Sequence, residues 1–168
     1  MTTQQYQKWT APLRRHPKSI SILTAANRAT TAFVYAAYGV YLIFLLLQNR
    51  PLLPAAILVP GISFVLLSLY RDRTNAPRPY EALDIQPLIV KQTKGHSFPS
   101  RHVFSVFVIA VTIGIQNLCA GIVLGAVGVA ICIIRVLGGV HFPKDVLAGM
   151  ALGLLSGAVG FALVAFLS

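Results

Sequence analysis

The sequence predicts an all-α integral membrane bundle of about five transmembrane helices, and three observations carry that prediction. Hydrophobic residues fill 56% of the 168 positions, charged residues only 11%, and mean hydropathy is +0.73, more apolar than an ordinary soluble domain. Five apolar stretches extend from about residue 30 to the C-terminus, each near the roughly 20 residues a helix needs to cross a bilayer. Prolines and short polar turns separate these stretches at the places where helices should start and stop. The organisation is therefore a polar, basic segment, 1–29, followed by a single transmembrane domain, 30–168.

The first span is expected over about 30–48 and the second over 52–70, joined by the polar QNRP turn. Pro54 and Pro60 should bend the second, because each removes one backbone donor. The third span should begin near Phe98–Pro99 and end at the Gln116–Asn117 turn. The fourth covers about 118–137 and the fifth about 143–167, and their recurrent Gly and Ala permit close helix packing. Cys119 and Cys132 sit in apolar stretches and read as small buried hydrophobes rather than as a disulfide or metal pair. The N-terminus has no apolar signal-peptide core. The one long polar connection, 71–97, is a functional candidate by its length alone.

With five spans, the N-terminus, the 71–97 loop and the turn at 135–145 share one membrane face. Of the 14 Lys and Arg residues, all but Arg50 fall on that face, which the positive-inside rule places in the cytoplasm. A formal charge of +10 could serve nucleic acid, but on this apolar background it suits anionic lipid headgroups or a phosphate-bearing substrate.

Two short stretches on this face carry chemistry. In FPSRH, Pro99 should open a helix with Ser100, Arg101 and His102 in its first turn; in HFPKD, Pro143 opens the last helix between His141 and Asp145. Each helix start offers unpaired N–H groups and about half a positive charge, which favours an anion. Arg71, Arg78 and Arg135 add three guanidiniums, the side chain best matched to phosphate. Asp145, four residues after His141, can orient that imidazole as a nucleophile or base, and His102 can give a proton to a leaving alkoxide. The set describes phosphoryl transfer without metal or cofactor, since no carboxylate cluster exists to hold Mg²⁺.

Arg71-x6-Arg78-Pro79, then Pro99-Ser100-Arg101-His102, then Arg135-x5-His141-x3-Asp145, resemble in order the three signature motifs of the type 2 phosphatidic acid phosphatases, K-x6-R-P, P-S-G-H and S-R-x5-H-x3-D. The resemblance covers 71–145 and implies a PAP2-like helical core and a lipid phosphatase. By the same resemblance His141 attacks phosphorus to give a phosphohistidine and Asp145 orients it. His102 protonates the leaving group and later activates water, and Arg71, Arg78, Arg135 and Ser100 bind phosphate oxygens. Arg71 stands for the family Lys, Arg101 for its Gly and Ile134 for its Ser; the Arg101 side chain is thereby free to meet phosphate, a headgroup or solvent.

The expected partners are a lipid phosphate substrate and membrane lipids, with nucleic acid excluded and the oligomeric state open. Candidate substrates are phosphatidate, phosphatidylglycerol phosphate and polyprenyl phosphates or diphosphates. The short chain resembles bacterial members, so the bacterial inner membrane is the expected location. The alternative is a non-catalytic lipid-phosphate binding or transport protein that kept the site; the intact His102, His141 and Asp145 weigh against it. A vanadate-dependent haloperoxidase, related in site geometry, is soluble and much larger than this chain.

Overall fold

The structure, a computed structural model, describes residues 1–167, Pro17 by its backbone alone. Among the described residues seven helices follow one another: α1 (Thr3–Arg14), α2 (Pro17–Leu47), α3 (Leu53–Thr74), α4 (Pro79–Ala82), α5 (Arg101–Gly114), α6 (Leu118–Leu137) and α7 (Pro143–Leu167). Four of them, α2, α3, α6 and α7, are long and apolar enough to cross a membrane, and α5 is a shorter apolar helix. The chain is an integral membrane protein, and its five apolar segments appear in the expected order.

The third segment differs from expectation. It forms only 14 helical residues, a rise of about 21 Å against a hydrocarbon thickness of roughly 30 Å. Pro99 does not open it: Ser100 is the N-cap, with φ −71° and ψ 111°, and Arg101 is the first helical residue. The reason is local. Ser100 N–H donates to the Asp145 carbonyl (2.9 Å), and the Pro99 carbonyl accepts from Arg71 Nη1 (2.5 Å), which holds 96–100 out of the helix, between α3 and α7. Residues 103–110 of α5 are all buried, as expected for a helix that is apolar all round and central to a bundle.

Close packing around α5 depends on small residues, as the Gly and Ala pattern predicts. A Cβ at Gly149 would lie 2.6 Å from the Ser100 carbonyl oxygen, and one at Gly153 would lie 2.6 Å from that of Phe104. Gly121 and Gly114 similarly let α6 approach α5. Hydroxyls fasten α2 to its neighbours: Tyr38 donates to the Ala56 carbonyl (2.7 Å) and Tyr41 to that of Thr112 (3.4 Å). In α3, Pro54 stands in the first turn and Pro60 inside the helix, which continues through Arg71 to Thr74, four residues past the expected end. Cys119 is exposed rather than buried, Cys132 is half-buried, and both are free thiols.

The polar segment 1–29 is helical. Thr2 caps α1 in a capping box with Gln5, and Tyr6, fully buried, fixes α1 against the site end of the bundle. Its hydroxyl donates to the Leu137 carbonyl (3.1 Å) and accepts from Leu88 N–H (3.2 Å), while Arg14 donates to the Gln86 carbonyl. Thus α1, the 75–100 connection and the α6–α7 turn meet at one end, and Arg50, Gln116 and Asn117 line one cavity at the other.

Candidate active site

The α6–α7 turn brings His141 and Asp145 together at this first end. Both are buried, at 2% and 0% exposure. Asp145 Oδ2 accepts from Ser97 Oγ (2.6 Å) and from Phe142 N–H (2.9 Å), and lies 3.6 Å from His141 Nδ1. Ser97 Oγ is also 3.4 Å from His141 Nδ1. Because the single Ser97 proton goes to the carboxylate, its oxygen is left to accept from an Nδ1–H. The chain Nδ1–H···Oγ–H···Oδ2 therefore leaves the lone pair of His141 on Nε2. Burial lowers the His141 imidazole to about 4; Asp145 opposes that shift, and Arg78 and Arg135 add to it. The ring is neutral at pH 7, as a nucleophile must be.

Arginines surround this pair. Arg135, in the last turn of α6, is 1% exposed, and its Nε and Nη1 have no hydrogen-bond partner among the described residues. Ser100 Oγ and Asp145 Oδ1, both buried, are likewise unpartnered. Arg71, near the end of α3, donates to the Pro99 and His96 carbonyls. Arg78 donates from Nε to the Gly95 carbonyl (3.0 Å) and from Nη1 to that of Val140 (3.3 Å). These two arginines thus position the 95–99 segment as well as supplying charge. His102, half-buried in the first turn of α5, has Arg135, Lys91, His141 and Arg101 as its charged neighbours. Arg101 is exposed, its guanidinium 5.8 Å from the Phe64 ring centroid.

All eight residues singled out in the sequence, His102, His141, Asp145, Arg71, Arg78, Arg135, Ser100 and Arg101, therefore lie at the same end of the bundle. Sequence reasoning did not assign two others. Ser97 lies inside GHSFPSRH, but only the fold places it against Asp145. Lys91, half-buried in the loop, has its ammonium lowered to about 8 by burial and then by Arg135, Arg78, Arg71 and Arg101. The Tyr80 hydroxyl donates to the Thr93 carbonyl and holds the loop. His96, at φ 52°, lies 3.3 Å from Asp72. Among the described residues no three His, Cys, Asp or Glu side chains are grouped as a metal site.

One end of this helical membrane core thus gathers two helix starts, two histidines and buried arginines, a set suited to a phosphate group. The family model of the PAP2 superfamily matches residues 53–167, more than half of the chain, and the protein belongs to that family. The crystal structure of Aquifex aeolicus LpxE is similar at TM-score 0.75 and 25% identity, covering 96% of this chain and 94% of that one. The first transmembrane PAP2-type phosphatidylglycerolphosphate phosphatase from Bacillus subtilis shares the fold at TM-score 0.73 and 24% identity, over 98% of this chain and 85% of that one. No match is found among curated protein sequences. Family and fold are those of membrane lipid phosphatases.

Proposed function

We propose that the protein hydrolyses a phosphomonoester or diphosphate headgroup of a membrane lipid through a phosphohistidine at His141, without a metal ion. The observation that carries this reading is the set of buried, unpartnered donors, Arg135 Nε and Nη1 with Ser100 Oγ, at the site of an oriented neutral imidazole. In an apolar surrounding such donors are costly unless an anion meets them. In the first step His141 Nε2 attacks phosphorus, the P–N bond forms as the P–O bond to the lipid breaks, and His102 gives its proton to the leaving oxygen. In the second, water attacks phosphorus, His102 takes its proton, and the P–N bond breaks to release inorganic phosphate. Positive charge develops on His141 as it is phosphorylated. The 3.6 Å contact with Asp145 is long for a hydrogen bond and should shorten at that point. The incoming phosphate dianion also offsets the cations around His102 and favours the protonated ring that the first step requires.

The site faces the cytoplasm of a bacterial cell in this reading, on the strength of the Lys and Arg bias; setting aside Arg71, Arg78, Arg101 and Arg135 does not change its sign. Purified protein should release phosphate from at least one of phosphatidate, phosphatidylglycerol phosphate and polyprenyl diphosphate, equally with and without chelator. Loss of release on chelation would contradict the metal-free chemistry. Unchanged release by His141→Ala on every lipid would make the protein a binder or transporter.

A further inference from the structure

Lys91 is a cation that the three motifs do not include, and the fold places it among those that they do. Two residues before it, Ile89 N–H donates to the Gly138 carbonyl (3.0 Å), just past the end of α6 that carries Arg135. Next to Ile89, Leu88 N–H is held by the Tyr6 hydroxyl, and Tyr80 holds Thr93 on the far side of Lys91. Ile89 itself packs with Ile134 and Val140. A loop fastened on both sides in this way keeps the lysine at the site. There it has Arg135, Arg78, Arg71 and Arg101 as charged neighbours and no ion pair with a carboxylate among the described residues. His102 has both Lys91 and Arg101 among its own neighbours.

Arg71, Arg78, Arg135, Lys91 and Arg101 carry five positive charges; Asp145 is buried among them, and the exposed Asp72 and Glu81 lie near Arg71 and Arg78. The exposed carboxylates thus lie on the side of Arg71 and Arg78, and Lys91 and Arg101 are the cations left for a further anion. Arg101 is exposed and Lys91 half-buried, so both lie nearer the surface than the buried Arg135. A second anionic phosphorus in the same headgroup would meet them there.

We propose that Lys91, with Arg101, forms a subsite for a second phosphate beyond the one that is transferred. The preferred substrate is then a lipid with two phosphorus groups in its headgroup, either a diphosphate or a phosphodiester that bears a terminal phosphate. The proposal rests on the phosphatase reading above. It is tested by comparing Lys91→Met and Lys91→Arg with the parent protein on polyprenyl diphosphate, phosphatidylglycerol phosphate and phosphatidate. Lys91→Met should lower the ratio of kcat/KM on a two-phosphorus lipid to that on phosphatidate about tenfold, mainly through KM, and Lys91→Arg should restore it. A drop on the diphosphate alone identifies adjacent phosphates as the ligand, and a drop on phosphatidylglycerol phosphate alone identifies the phosphodiester. Parallel losses on all three lipids, or no change in either ratio, would overturn the proposal. His141→Ala separates the two readings: if it leaves phosphatidate turnover intact, the phosphatase reading fails whatever Lys91 does.

Discussion

His141 has its reactive nitrogen set by Ser97, 44 residues before it, and by Asp145, four after it, and the consequences can be measured one side chain at a time. Ser97 passes the hold of Asp145 to Nδ1. Ser97→Ala should therefore lower kcat about 10²-fold, with Ser97→Thr recovering much of it, because a misplaced nucleophile loses alignment before it loses binding. Asp145→Asn should cost about 10²–10⁴-fold, the usual worth of an acid–base partner. Burial fixes the protonation of the same ring. Its folded value, about 4, lies below the ordinary 6.5, so the neutral form persists as pH falls through 6.5 and is lost only near 4. Imidazole NMR, with the His141 signal assigned by its loss in His141→Ala, should show a neutral ring at pH 5; half-protonation near 6.5 would contradict the burial. The sequence made the nucleophile legible because His141 and Asp145 are one helical turn apart. It hid Ser97 and Lys91 because neither belongs to a motif: Ser97 stands two residues before Pro99 but 48 residues before its carboxylate partner.

At the scale of elements, the site exists because α5 and α7 touch almost backbone to backbone. Gly149 and Gly153 allow this, since a side chain at either would meet a carbonyl oxygen of Ser100 or Phe104 that is fixed in its own segment. Gly149→Val should reduce thermal stability by about 1–3 kcal/mol or more and abolish turnover. Gly125→Ala, where an added Cβ has nothing within 4 Å, should leave both unchanged. Turnover retained by Gly149→Val would mean that α5 can stand off α7 without disturbing the site. The five apolar segments and their order were legible because apolar length is a strong signal. The start of α5 was not, because the tertiary bonds to Asp145 and Arg71 overrode the preference of Pro99 for a first helical position. Docking of α1 was also hidden. Among its mostly polar residues the anchor is one tyrosine whose partners lie some 80 and 130 residues away. Tyr6→Phe should speed amide exchange at Leu88, which loses its acceptor; unchanged exchange would show that α1 does not hold the loop.

For the molecule as a whole, the two ends of the bundle differ in kind: one gathers the basic residues and the site, and the other carries Arg50 with the Gln116–Asn117 turn. Which end meets the cytoplasm is tested with a cysteine placed in the 81–95 loop, after Cys119 and Cys132 have been removed. An impermeant thiol reagent should fail to label it in intact cells and label it after lysis; labelling from outside would reverse the orientation. The central claim concerns a covalent bond to one nitrogen. Purified protein mixed with a lipid labelled in its terminal phosphate and quenched in alkali within the first turnover should carry base-stable, acid-labile phosphate, and His141→Ala should carry none. Full turnover with no labelled protein at any quench time, or undiminished turnover by His141→Ala, would contradict the account.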